Sequence, residues 1–157
     1  MRLSENFYLH EFLFSQTATR HKIPMEPDEK VIKNIQWLVD SCLQPLRNAL
    51  QKPIRITSGY RPPRLNTMIG GSKTSAHRFG RAADIVVPGV EPIEVADLFV
   101  SLHKEFDQVI HEFGRWVHIG IAERQRHQQL TAYYDQWGKL QYTHGIVPID
   151  EIEDRYV

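Results

Sequence analysis

The chain has 157 residues, 41% of them hydrophobic, which is enough for one compact domain with a buried core. Nineteen basic residues balance nineteen acidic ones, which excludes the strong positive charge expected of a nucleic-acid-binding protein. Cys42 is the only cysteine, which excludes an intrachain disulfide and a zinc site built on thiolates. Any metal must therefore be held by His, Asp or Glu side chains.

The first third of the chain predicts helices. Residues 9–20 are expected to be helical, with Ser4 as a candidate cap. Apolar residues recur three or four apart over residues 28–51, the spacing of a helix with one buried face. Pro45 interrupts that pattern, so we expect a kink or a break there.

After residue 51, the spacing of apolar residues changes from the helical pattern to the alternation typical of strands. PIRITSGYRPP predicts a strand at 54–58, and the following segment, 64–80, is expected to be mostly loop with a helical turn near 65–69. ADIVVP predicts a second strand, followed by an amphipathic helix over 93–106. DQVIHEF and RWVHIGI flank Gly114 and predict a hairpin, and GKLQYTHG is a candidate further strand. We therefore expect one α+β domain over 1–157, with N-terminal helices packed on a small, mostly antiparallel sheet.

The start of the chain, MRLSENFYLHEFLFSQTATR, lacks the apolar core and small-residue cleavage site of a signal peptide. No segment approaches a membrane span. We expect a protein that is made in a cytoplasm, has no membrane partner, and is delivered by something other than a signal if it works elsewhere.

The stretch SAHRFGRAAD contains a candidate pair of metal ligands. His77 lies on the predicted loop and Asp84 near the start of the ADIVVP strand, with Gly80 between them. On that strand Asp84 faces away from Ala83 and Ile85, and burying it requires a cation or hydrogen-bond donors. The pair can belong to a metal site, or Asp84 can form a cap or salt bridge while His77 stays solvated.

HEFGRWVHIGI contains a third candidate ligand and a candidate base. His118 shares a strand face with Trp116 and can complete a His, Asp, His set, although a single buried histidine is also a common structural residue. Glu112 lies six residues before His118 across the Gly114 turn, where a tight hairpin brings it within reach of a water at the metal. Alternatively, Glu112 is a surface carboxylate at a turn. Its neighbour His111 should point to the opposite face.

Arg61, in ITSGYRPP, follows the first predicted strand at the start of a loop. An arginine in this position can clamp a carboxylate or polarise a carbonyl, and it can equally face solvent. Spacing alone favours no chemical role for Ser58 or Tyr60.

In this order, the motifs resemble the zinc D-Ala-D-Ala carboxypeptidase family and its bacteriophage relatives, which share a fold with the amino-terminal signalling domain of Hedgehog proteins. The resemblance covers roughly residues 3–121 and leaves 122–157 as a C-terminal extension. Its most specific parts are SGYR at 58–61, GGSKTSAH at 70–77, the spacing of His77, Gly80 and Asp84, and WVHIG at 116–120.

The resemblance implies Zn²⁺ bound by His77, Asp84 and His118 and hydrolysis of peptide bonds in peptidoglycan stem peptides. It also implies Glu112 as the base and Arg61 as the residue that stabilises the oxyanion. Ser75, Arg61 and Trp116 are the expected substrate contacts.

The chain departs from some relatives near the base. Some place the base three residues before the last histidine, where this chain has Arg115, and others place a histidine two residues before it, where this chain has Trp116.

We expect cleavage at D-Ala-D-Ala, with L-Ala-D-Glu endopeptidase activity as the alternative and a non-enzymatic, zinc-stabilised virion or binding module as the alternative of another class. Under the resemblance, the protein is phage-encoded and acts on the bacterial cell wall after release or as part of a virion.

Overall fold

The computed structural model describes residues 1–103 and 105–157. The helical segments are a 3-10 helix at Leu9–Phe12, α1 (Gln16–Arg20), α2 (Glu29–Leu38), a π-helical turn at Val39–Leu43, α3 (Gln44–Leu50), α4 (Pro63–Met68), a 3-10 helix at Ala76–Phe79, α5 (Pro92–Leu102) and a 3-10 helix at Ile149–Glu151. The strands are β1 (Arg55–Ser58), β2 (Ala82–Val86), β3 (Gln108–Glu112), β4 (Trp116–Gly120), β5 (Gln128–Tyr134) and β6 (Leu140–His144).

The six strands form one sheet in the order β1-β2-β4-β3-β5-β6. Every neighbouring pair is antiparallel except β3 and β5, which are parallel. The predicted α+β class with a mostly antiparallel sheet is confirmed. The hairpin expected around Gly114 is formed by β3 and β4, and the other predicted strands correspond to β1, β2 and β6.

The first predicted helix is interrupted. Residues 9–20 form two short helices, because Phe12 turns its carbonyl toward the backbone N–H of Tyr60 (2.8 Å) and Ser15 caps a new helix by accepting from the N–H of Ala18. Ser4 is not a helix cap, contrary to the prediction. Its hydroxyl donates to the side-chain oxygen of Gln44 and so joins the N-terminal segment to α3.

The long helical pattern is continuous, and its irregularity precedes the proline. The π-helical turn Val39–Leu43 lies between α2 and α3, and Pro45 occupies the first turn of α3. Proline lacks an N–H, so a helix accommodates it most easily where the regular ladder is already broken. The predicted kink is thus a wider turn just before Pro45.

Two other boundaries differ from the prediction. Helix α5 ends at Leu102 rather than Phe106, because His103 has an extended backbone (φ −115°, ψ 125°); Lys104 lies outside the described residues. Strand β5 was not predicted. Its alternation is weak because Thr131, between Leu130 and Ala132, is also buried, with its hydroxyl bonded to the carbonyl of Gly145.

The two faces of the sheet have different roles. Side chains from one face, including Ile85, Val109 and Ile119, join Leu38 and Phe99 of the helices in the main hydrophobic core. Asp84, Glu112 and His118 alternate with these residues and so lie on the opposite face. The helices therefore cover one face and leave the other available for a site. Over the described residues, no helix combines the length and apolarity needed to span a bilayer.

We expect Gly80→Ala to destabilise the protein more than Gly70→Ala. Both glycines have positive φ (+70° and +78°), where an alanine costs about 1–2 kcal/mol. Only at Gly80 would the added Cβ also lie 2.8 Å from a backbone atom, the carbonyl oxygen of Val31, whereas Gly70 has open space. Urea unfolding of both variants measures the difference, and equal losses would contradict the assigned packing.

Asp107→Asn should lower the free energy of unfolding by about 1 kcal/mol at neutral pH, because solvent screens an ion pair whose arginine is half exposed. The carboxylate of Asp107 accepts the Nε–H and Nη2–H of Arg126 at 2.9 and 2.8 Å, and these bonds hold the pKa of Asp107 below its usual range. A depressed pKa stabilises the fold above the unfolded pKa of about 3.9, and this contribution is lost as the pH falls.

Denaturant unfolding from pH 7 down to pH 3 should therefore show the wild type and Asp107→Asn converging in acid. Glu123→Gln is the matched control, because Glu123 is exposed and lies 3.7 Å from Arg81 in a surface ion pair. A gap between wild type and Asp107→Asn that persists unchanged at pH 3 would show that the charge is not the cause.

Candidate active site

Three predicted ligands converge on the sheet face opposite the helices. His77 lies in the 3-10 helix Ala76–Phe79, and Asp84 and His118 are directly paired on neighbouring strands β2 and β4. All three are buried, and their potential ligand atoms lie within 4.8 Å of one another. The antiparallel register of β2 and β4 thus brings together residues that are far apart in the sequence.

Local hydrogen bonds orient the two imidazoles. Nδ1 of His77 lies 2.8 Å from the carbonyl oxygen of Gly59, so Nε2 is the nitrogen that faces Asp84, at 3.3 Å from Oδ1. Nδ1 of His118 lies 3.0 Å from the same oxygen. A carbonyl behind one ring nitrogen fixes the orientation that a metal-binding histidine requires. Sequence reasoning missed the role of Gly59, because a backbone carbonyl gives no sequence signal.

The electrostatics keep Asp84 ionised. Burial opposes its charge, but His77 and His118 hold the pKa of Asp84 well below its usual range through charge and hydrogen bonds. Burial lowers the pKa of His77 and leaves its ring neutral, with a lone pair to share. At His118 burial also favours the neutral form, but the hydrogen bond to Asp84 and the charges of Asp84 and Glu112 together outweigh it and raise the pKa.

These residues fit a zinc ion. Two imidazoles and a carboxylate, buried together with their free donor atoms converging, are the nitrogen and oxygen ligands that zinc accepts. The buried carboxylate also requires nearby positive charge, which a divalent cation supplies. The donor set therefore matches the expectation from the sequence.

Glu112 lies beside this triad at the end of β3. Its Oε2 accepts the indole N–H of Trp116 at 3.1 Å, while Oε1 lies 3.8 Å from Nδ1 of His118. Burial and the charge of Asp84 raise the pKa of Glu112 to about 7. The hairpin thus brings the predicted base to the predicted ligands, with a carboxyl group that can both accept and release a proton near neutral pH.

Arg61 also reaches the triad. Its Nη2 lies 3.1 Å from Oδ2 of Asp84, its Nε–H donates to Oγ of Ser58 at 3.0 Å, and its backbone N–H donates to the carbonyl of His77. Sequence reasoning missed the contact of Arg61 with Asp84 and the supporting role of Ser58. The contact between Arg61 and Asp84 depends on the position of the loop after β1 relative to β2, which sequence spacing alone does not reveal.

The other predicted residues lie close by. Ser75 caps the 3-10 helix that carries His77 by accepting its N–H at 3.3 Å. Trp116 borders a neighbouring cavity of about 240 Å³. His111 points to the opposite face, as expected, where Nδ1 lies 3.1 Å from the carbonyl of Val147.

The triad opens into a groove of about 760 Å³. The loop around Gly71 and Ser75 forms one wall, and Leu140 and Tyr142 of β6 form part of the other. Sequence reasoning assigned no role to these β6 residues. Their alternation marked a strand, but only the strand order of the sheet places that strand at the groove.

Comparison with known proteins agrees with this geometry. The family model described as Peptidase M15 matches residues 5–120, more than half of the chain. The match includes β1–β4, the triad, Glu112 and Arg61, and it ends before β5 and β6. No curated protein matches the chain. Together with the His-Asp-His triad, the family match identifies the chain as a member of the peptidase M15 family, and hence a metallopeptidase.

Proposed function

We propose that the protein is a zinc-dependent peptidase that hydrolyses a peptide bond in the stem peptides of peptidoglycan. The observation that carries this proposal is the position of Glu112, a partly buried carboxyl group with a pKa of about 7, next to three convergent candidate metal ligands in an open groove. Membership in the peptidase M15 family supports the peptidoglycan-type substrate.

His77, Asp84 and His118 would hold the zinc ion. They are three protein donors rather than four, the number typical of catalytic zinc sites. When bound there, zinc supplies a Lewis acid that polarises the scissile carbonyl and makes a neighbouring water more acidic.

Glu112 carries the proton. Its carboxylate removes a proton from the attacking water, the water oxygen forms the new bond to the carbonyl carbon, and Glu112 returns the proton to the amine as the C–N bond breaks. Trp116 holds Oε2 so that Oε1 stays turned toward the triad. A structural metal site has no need of this arrangement, which favours the enzyme over the non-enzymatic module.

Arg61 has two proposed contributions. Its guanidinium pairs with Oδ2 of Asp84, which orients the carboxylate and leaves Oδ1 toward the two histidines. Arg61 also lines the groove, so its positive charge favours the oxyanion that forms during attack. Ser75, at the same wall, is placed to contact the peptide.

The cleaved bond has two candidates. We propose D-Ala-D-Ala first, for which a groove-lining arginine such as Arg81 can hold the free terminal carboxylate. L-Ala-D-Glu is the second candidate, because a groove of about 760 Å³ has room for more than a terminal dipeptide. Delivery to the cell wall after phage-induced release, or within a virion, stays a prediction.

We expect the protein to bind one zinc ion and to be stabilised by it. Zinc at about 100 times its Kd should add about 2.7 kcal/mol, because only the folded chain brings the ligands together. His77→Ala should abolish this stabilisation, whereas His21→Ala, which changes an exposed histidine, should retain it. Calorimetric titration and thermal melts with and without chelator measure both effects, and equal zinc binding by His77→Ala would refute the assigned site.

Glu112→Gln should lower kcat by about 10²–10⁴-fold, because it removes the proton carrier. Zinc binding and the fold should persist. Glu153→Gln, which neutralises an exposed carboxylate, is the matched control and should retain full activity. The assay is amine release from purified peptidoglycan by zinc-loaded protein.

The same digest identifies the bond. Released D-alanine would indicate the carboxypeptidase, and new D-glutamyl amino termini would indicate the endopeptidase. Absence of amine release by folded, zinc-loaded wild type would eliminate the enzyme proposal.

A further inference from the structure

The segment beyond the family match forms part of the active-site groove. Strands β5 and β6 extend the sheet from β3, and Leu140 and Tyr142 of β6 line the same groove as His77 and Glu112. These two strands lie after residue 120, where the match to the peptidase family ends. The groove therefore extends beyond the segment that the family model matches.

The sheet register places Tyr142 opposite the proposed base. Trp116 on β4 pairs with Glu112 on β3, Glu112 with Ala132 on β5, and Ala132 with Tyr142 on β6. Paired residues point to the same face, so this row crosses the sheet in line. Tyr142 thus stands two strand spacings, about 10 Å, from Glu112, with only the small side chain of Ala132 between them.

The floor and the wall on this side are apolar. Ile110 and Leu130 are paired on the same face in a neighbouring row, and with Ala132 they form a buried apolar cluster. Beside it, Tyr134, Leu140 and Tyr142 form an exposed strip, which we call the aromatic strip; these side chains are 50%, 48% and 52% exposed. Leu140 and Tyr142 line the groove, whereas Tyr134 stacks on Phe113 and lines the neighbouring cavity. Tyr134 is paired with Leu140 across the strands. Apolar side chains left half exposed along a groove indicate a binding surface.

The opposite wall has a different chemical character. Arg61, Arg81, Ser72 and Ser75 line the groove there, so cations and hydroxyls face the substrate. The β6 side chains that line the groove, Leu140 and Tyr142, carry no charge. The two walls therefore suit the two parts of peptidoglycan, a stem peptide that carries carboxylates and a glycan strand of uncharged sugar rings.

We propose that the aromatic strip binds the sugar rings of the glycan strand to which the stem peptide is attached. Pyranose rings have apolar C–H faces that pack on aromatic and aliphatic side chains while their hydroxyls remain in water. Continuity of the strip with the catalytic groove lets one substrate occupy both. This inference rests on the proposed function and adds that the enzyme favours peptides still joined to sugar.

The test compares one stem peptide with and without its disaccharide as substrates of the zinc-loaded protein. Tyr142→Ala should raise KM for the disaccharide-linked peptide about tenfold, equivalent to about 1.4 kcal/mol. Its kcat, and its KM for the sugar-free peptide, should match those of the wild type. Tyr142→Phe keeps the ring and should behave as wild type on both substrates.

Two further variants sharpen the comparison. Trp137→Ala removes an aromatic side chain that is more exposed than Tyr142, at 73% against 52%. Trp137 lies in the turn between β5 and β6 and does not line the groove, so the change should alter neither KM. Leu140→Ser should shift KM in the same direction as Tyr142→Ala, and it replaces that variant if Tyr142→Ala does not fold.

An equal increase in KM on both substrates would overturn the proposal, because the strip would then bind the peptide. An unchanged KM on both substrates would also overturn it. If the wild type cleaves neither substrate, the proposed function fails. The strip is then judged by binding of peptide-free glycan strands to the wild type and Tyr142→Ala. Weaker binding by the variant supports the sugar site, and equal binding or none overturns it.

Discussion

The arrangement of the whole site depends on the buried carboxylate of Asp84. One of its oxygens faces His77 and His118, and the other is bound by Arg61. An ionised carboxylate without partners in such a position would be strongly destabilising. The fold must therefore bring the loop after β1, the 3-10 helix Ala76–Phe79 and strand β4 to one point. The same requirement that neutralises Asp84 brings the proposed metal ligands together.

The charge of Asp84 also tunes its neighbour. Together with burial, it raises the pKa of Glu112, while Asp84 itself stays ionised because two histidines and an arginine surround it. Two nearby carboxyl groups are thereby given different protonation behaviour. Such separation is how an active site obtains both a permanent anion and a group that exchanges protons near neutral pH. The environment rather than the residue type assigns each role.

The sheet determines how far the site extends. Residues that are paired on neighbouring strands lie side by side on one face and form rows across the sheet. The row through Glu112 ends at Tyr142 on the edge strand β6. The helices occupy the other face through the core around Leu38 and Phe99. As a result, the family-typical part of the chain supplies the chemistry, and the following strands supply an additional wall of the groove.

The residue types restricted the possible metal donors to His, Asp and Glu, because a single cysteine excludes a thiolate site. They also determined the α+β class, the β3–β4 hairpin and the faces of Asp84 and His118, since alternation and turns are local signals. Other features depended on tertiary structure: the parallel pairing of β5 with β3, the ion pair between Arg61 and Asp84, and the position of Tyr142 at the groove. These require strand order and loop packing, which arise from contacts between distant segments that no local pattern records.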